Sequence, residues 1–159
     1  MYKILKGFAA AAFVMVLVLA LSSRADAQGA GASQIPVAAV MQPSQLVALL
    51  RSSPGDKPMI LQVGSHVLYE EAHIPGSIYA GAAGDASGIQ DLRGRVQNMS
   101  RTQFVVLYCG CCPWSRCPNI EPAYALMHSL GFSHLKVLYL ANNFGADWVD
   151  KGYPTVRGK

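Results

Sequence analysis

All four cysteines of this 159-residue chain fall within nine consecutive residues, Cys109-Gly110-Cys111-Cys112-Pro113-Trp114-Ser115-Arg116-Cys117. A disulfide framework would spread its cysteines along the chain, so this clustering points to local chemistry. The run Phe104-Val105-Val106-Leu107-Tyr108 has the β-branched and aromatic character of a strand and leads straight into Cys109. Helical periodicity resumes after Cys117. A cysteine between a strand end and a helix start meets free backbone N–H groups and the positive end of the helix dipole, both of which stabilise negative charge. The thiolate, which is the nucleophile, is favoured there. The same loop can hold an incoming anion, and Arg116 can add a bidentate donor for it.

Several chemistries fit these residues. Cys109 is the expected nucleophile, with Gly110, Cys111, Cys112, Pro113, Trp114, Ser115 and Arg116 as the substrate-binding loop. In a redox reading Cys109 cycles through a disulfide with Cys111, Cys112 or Cys117. A local disulfide such as Cys112 with Cys117 would only staple the loop. Clustered thiolates also suit Cu(I) or zinc. Adjacent Cys111 and Cys112 rarely both reach one tetrahedral ion, however, and the loop holds no histidine, so no metal ligand and no obligate cofactor is assigned. His66, His128 and His134 show no ligand spacing, and His73 reads as a turn residue satisfied by backbone rather than a catalytic base.

The elements that must position this loop follow from the apolar pattern. Pro43-Ser44 starts a short helix with Ser44 as N-cap and Leu46, Val47, Leu49 and Leu50 as its buried stripe. Residues 59–63, Met-Ile-Leu-Gln-Val, are a brief apolar run between turn signals and read as a buried strand of a parallel sheet. Ser77-Ile78-Tyr79 is a short strand, followed by a weak helix near Ile89 to Val96. Past the cysteines, Ile120, Ala123, Tyr124, Met127 and Leu130 share one helical face over about 119–130, Pro122 is tolerable in the first turn and Gly131 suits the C′ position. Leu135 to Leu140 is another strand, and Ala146 to Lys151 a short terminal helix with Trp148 as its core anchor. Strands alternating with helices predict a single α/β domain with a mainly parallel central sheet flanked by helices, in which sites form at the carboxyl ends of strands. Cys109 occupies such an end.

The amino terminus is read separately. Lys3 and Lys6 precede an apolar run from Phe8 to Leu21, and Ala25-Asp26-Ala27 supplies small residues where a signal peptidase reads. The run is shorter than the roughly 20 residues that span a bilayer. Residues 1–27 are therefore expected to be a signal peptide, 28–34 a flexible leader and 35–159 the domain. The mature protein is expected to be exported, periplasmic if the source has two membranes and otherwise secreted, with no stable membrane insertion after cleavage. Lys3, Lys6 and Arg24 against Asp26 carry +2 of the formal net charge of +4. The remaining basic residues are scattered, which excludes the clustered patch that nucleic-acid binding requires.

With these residues in view, a family resemblance is apparent. LQVGSHVLYEEAHIPGSIYAG resembles the first half of a rhodanese domain, with its strand, short helix and His-Ile-Pro-Gly turn at His73 to Gly76. VVLYCGCCPWSRCPN is similar to the family's strand, cysteine loop and helix start, LMHSLGF to the helix and turn that follow, and VLYLANNFGADWVDKGYP to the last strand and its tryptophan-bearing segment. The resemblance implies sulfur transfer: a thiolate takes the sulfane sulfur of a small donor such as thiosulfate, holds it as a persulfide and passes it to a thiol or cyanide acceptor. It also implies that Cys109, directly after the strand, is the nucleophile, and that Gly110 to Ser115 supply a cradle of backbone N–H groups. Three features differ from the family pattern. Gln62 and Gly64 stand where the family usually has Asp and Arg. The spacing of cysteine, four residues, arginine is met from Cys111 rather than from Cys109, so a competing frame makes Cys111 the nucleophile. The extra thiols add a capacity for disulfide exchange that sulfur transfer does not require.

Overall fold

Apolar runs too short for buried helices become the strands of one sheet in a computed structural model that describes residues 34–158 except 54 and 56. The segments expected to be a signal peptide (1–27) and most of a leader (28–34) lie outside the described residues. In chain order the strands are β1 (Val40–Met41), β2 (Met59–Gln62), β3 (Ser77–Tyr79), β4 (Val105–Tyr108) and β5 (Leu135–Leu138). Their spatial order is β1-β5-β4-β2-β3, and every neighbouring pair is parallel. All four residues of the central strand β4 are buried, as a strand covered on both faces demands. The sequence expectation of an α/β domain with a parallel sheet flanked by helices holds.

Four helices provide the cover: α1 (Pro43–Leu50), α2 (His66–Glu71), α3 (Ala86–Val96) and α4 (Ile120–Ser129). Alternation along the strands sorts the side chains into two cores. Leu61, Leu107 and Val137 pack with Leu92 and Val96 of α3 and Ala123 and Met127 of α4. Ile60, Val106, Tyr108 and Leu138 pack with Leu46 and Val47 of α1 and with Trp148. Full burial of each such aliphatic side chain contributes about 1.5–3 kcal/mol. Trp148 has no exposed surface, and its indole N–H donates to the Pro154 carbonyl at 2.9 Å, so it anchors the carboxyl-terminal segment. Among the described residues no helix is long and apolar enough to cross a membrane.

Local details depart from expectation for identifiable reasons. Gln42, not Ser44, caps α1: Gln42 and Gln45 satisfy each other's backbone N–H groups, and Pro43 takes the first helical position, where no N–H is needed. The helix expected from Ile89 begins three residues earlier, at Ala86. β5 stops at Leu138 because its pairing partner β1 is only two residues long. The terminal helix is instead a π-type turn, Gly145–Val149. Residues 37–41 were not assigned from sequence, yet they form a 3-10 turn, Val37–Ala39, and the edge strand β1.

Candidate active site

β4 lies where the sheet's winding reverses: β5 flanks it on one side and β2 on the other. A crevice outside the carboxyl ends of β4 and β2 is the site that such a topology provides. The Val63 N–H donates to the Tyr108 carbonyl at 2.8 Å, keeping the two strand ends together up to the first cysteine. Cys109 follows directly, buried to 5% exposure. The next residue, Gly110, adopts φ 80°, a left-handed conformation that favours glycine. A Cβ there would also meet the Phe144 Cβ at 2.7 Å. The sharp turn at Gly110 sends Cys111 back over Cys109. A pocket of about 370 Å³ opens above them, lined among others by Gln62, Leu68, Glu71, Asn143, Phe144 and Val149.

The loop brings all four sulfurs together. Cys109 Sγ and Cys111 Sγ are 3.0 Å apart, and Cys111 Sγ and Cys112 Sγ 3.3 Å. Cys109, Cys112 and Cys117 have their sulfurs within 4.8 Å of one another. Cys111, Cys112 and Cys117 are half-buried, whereas Cys109 belongs to the core packed under the loop. Contact with the Cys111 and Cys117 sulfurs, together with burial, holds the Cys109 thiol above the usual cysteine range. The contacts with the Cys109 and Cys117 sulfurs move Cys111 the other way, below that range, against the opposing effect of burial. Burial and donation to Cys111 push Cys112 up. Among these coupled thiols, Cys111 is the one whose anion the contacts favour.

Asn119, just before α4, is the polar residue that organises these sulfurs. Its Oδ1 accepts from the Gly84 N–H at 2.7 Å. That contact orients the amide so that Nδ2 faces Cys109 Sγ at 3.3 Å and Cys111 Sγ at 3.5 Å. On the strand side, the buried Gln62 Nε2 donates to the Cys109 carbonyl at 3.2 Å, while its Oε1 accepts from the Gly64 N–H at 3.2 Å. These two contacts account for Gln62 and Gly64 where the family pattern has charged residues: the glutamine ties β2 to the cysteine loop, and the glycine leaves room for a sulfur.

The remaining loop residues are placed as follows. Pro113 has no N–H, the Trp114 N–H donates to the Ala141 carbonyl at 3.2 Å, and the Arg116 N–H closes the turn Trp114–Arg116 on Pro113. Of the cradle expected from Gly110 to Ser115, Pro113 thus has no donor and the Trp114 N–H is directed elsewhere. Trp114 packs its ring 5.2 Å from that of Tyr139, and Ser115 and Arg116 are exposed. Arg116 is not among the residues lining the pocket. His73 is a satisfied turn residue, with Nδ1 2.7 Å from the Tyr69 carbonyl and its ring stacked on Tyr69. The sequence reading passed over Asn119, although an asparagine directly before a helix start was a signal to examine. Glu71, Asn143 and Phe144 of the pocket wall carried no such signal, because they come from segments distant in sequence.

No protein-family model matches this chain, and no curated protein does. Solved structures do. The solution structure of the rhodanese-like domain of the Anabaena sp. protein Alr3790 matches at a TM-score of 0.54 with 23% identity, over 75% of this chain and 79% of that one. A crystal structure of Alr3790 matches at 0.57 with 23% identity, over 74% of this chain and 82% of that one. The chain has a rhodanese-like fold. The same fold explains a third match, to EanB, at a TM-score of 0.50 with 21% identity, over 74% of this chain but 27% of EanB; EanB has also been solved with hercynine. On the rhodanese-like fold this chain carries a cysteine loop in which four thiols and the buried Gln62 and Asn119 amides meet beside a pocket.

Proposed function

We propose that this protein is a sulfur-transfer protein that carries sulfane sulfur as a persulfide, with Cys111 making the first attack and Cys109 beside it as a hydrogen-bonding thiol. The observation that carries the reading is the position of Cys111 Sγ. It lines the pocket, is more exposed than Cys109, and has Cys109 Sγ at 3.0 Å, Cys112 Sγ at 3.3 Å and Asn119 Nδ2 at 3.5 Å around it. Hydrogen-bond donors gathered on one partly exposed sulfur favour its anion, and the anion is the nucleophile. Strand position favours Cys109 instead; its burial and its contact with Gly64 argue against a first attack there.

The step balances without a redox partner. The Cys111 thiolate bonds to the sulfane sulfur of a donor such as thiosulfate, the sulfur–sulfur bond of the donor breaks, and the leaving group, sulfite in that case, takes the electron pair. A thiol or cyanide acceptor then takes the outer sulfur and the Cys111 thiolate is restored. A second reading is favoured by the 3.0 Å between the two sulfurs. Attack of Cys109 on the inner sulfur of a Cys111 persulfide would release hydrosulfide and leave a Cys109–Cys111 disulfide, making the loop a thiol–disulfide centre.

Intact mass of fully reduced protein before and after thiosulfate tests the reading, one reductant-labile sulfur per chain being the expected gain. Peptide mapping of the Cys109→Ser and Cys111→Ser variants then locates it. Persulfide should be lost in Cys111→Ser and retained in Cys109→Ser, serine being a far weaker nucleophile near neutral pH. Sulfur on Cys109 in the Cys111→Ser protein, at wild-type yield, would return the first attack to Cys109. Absence of any added sulfur from wild type would remove the transfer reading altogether.

A further inference from the structure

Three of the four sulfurs do something that sulfur transfer does not need. Cys109, Cys112 and Cys117 come from three separate points of the loop, yet their sulfurs lie within 4.8 Å of one another. Thiolates bound to a single ion at about 2.3 Å sit roughly 4 Å apart when three surround it in a plane. The triangle of Cys109, Cys112 and Cys117 therefore needs little adjustment to close on an ion. Cys111 does not fit the same set: its sulfur is 3.0 Å from Cys109 and 3.3 Å from Cys112, closer than two ligands of one ion stand. The adjacency of Cys111 and Cys112, which weighed against a metal in the sequence, is no obstacle when Cys111 stands outside the ligand set.

We infer that Cys109, Cys112 and Cys117 form a three-coordinate site for a soft monovalent cation of the Cu(I) class. Thiolate ligands select such soft ions. Zinc in a structural site takes four ligands in a tetrahedron, and the loop offers three. The surroundings shield a bound ion from solvent: Cys109 is buried in the core, and Cys117 and Trp114 pack against that core. The Asn119 amide donates to Cys109 Sγ at 3.3 Å, an outer contact of the kind that orients a ligand and stabilises its charge. Binding exchanges three S–H protons for one ion already in the Cu(I) state, so no electrons change hands.

The test is a titration of reduced, oxygen-free protein with Cu(I) in competition with a chromophoric Cu(I) chelator. One ion per chain should leave the chelator. The Cys112→Ser and Cys117→Ser variants should each hold it at least ~100-fold more weakly, a ligand mattering no less than an outer-shell partner, while Cys111→Ser should bind as wild type does. X-ray absorption of the wild-type complex should count three sulfur neighbours, a measurement that stands if a serine variant misfolds. Failure of wild type to withdraw copper, a fourth sulfur neighbour, or equal loss of binding in Cys111→Ser would overturn the inference. The outcome is separable from sulfur transfer, because Cys111→Ser is expected to lose the persulfide and keep the ion.

Discussion

Gly64 and Cys109 occupy the same space: a Cβ added to Gly64 would lie 2.7 Å from Cys109 Sγ and 3.2 Å from the Cys109 carbonyl oxygen. Both atoms belong to a buried segment at the end of the central strand and cannot swing aside as a surface side chain would. Gly64→Ala should therefore cost about 1–3 kcal/mol, the range for overpacking a tight interior site. The same change should displace Cys109 and lower persulfide yield. Thermal unfolding together with thiosulfate labelling checks both; a variant as stable as wild type would mean that the two residues do not constrain each other.

Asn119 links Gly84 to two sulfurs through the two ends of one amide. Asn119→Asp keeps an acceptor for the Gly84 N–H but replaces the donor beside the thiols with negative charge. Alkylation of Cys111 by iodoacetamide at neutral pH should be slower by about tenfold or more, the equivalent of one lost charge-assisted hydrogen bond. Unfolding temperature should change less than in Asn119→Ala, which loses the contact to Gly84 as well. Equal alkylation rates in wild type and Asn119→Asp would show that the amide does not support the thiolate.

Asp147 supports the opposite wall of the pocket. Its carboxylate accepts from the Asn142 N–H at 2.6 Å, the Asn143 N–H at 3.1 Å and Asn142 Nδ2 at 3.1 Å. Burial raises its pKa, but these hydrogen bonds and the charge of Lys151 outweigh burial and hold it below the ordinary carboxylate value. A group depressed on folding contributes stability that is fully present above its unfolded pKa, about 3.9, and is lost as pH falls through the folded value. The unfolding temperature of wild type should therefore drop below about pH 4 more steeply than that of Asp147→Asn. Parallel acid profiles for the two proteins would contradict this account.

The expected export gives a prediction independent of the fold. Protein recovered from the envelope or medium of an expressing cell should begin at Gln28, with Ala25 and Ala27 at the small-residue positions before the cut. Amino-terminal sequencing decides it, and full-length chain found only in membranes would refute it.

Fold class was legible because parallel strands buried on both faces must be short and apolar; residues 59–63 and 104–108 have that character whatever surrounds them. The helix before Gly131 was equally legible, since its apolar period and the glycine stop are local properties. Ser44 misled because a serine near a helix start is a common cap, and the Gln42–Gln45 pair that displaces it becomes visible only when backbone directions are known. For the site, the sequence by itself determined that all four cysteines lie in residues 109–117 and that Cys109 follows a strand. It ranked Cys109 first from strand position alone, with Cys111 as the competing frame, because distances between sulfurs and what each is buried against are not visible in sequence. Only the tertiary structure put Cys111 over the pocket, Gly64 against Cys109, and the Asn119 amide between two sulfurs. Gly64 and Asn119 are 45 and 10 residues from Cys109 in the chain, and sequence periodicity carries no information about such contacts, which arise when β2 pairs with β4 and α4 docks on the sheet.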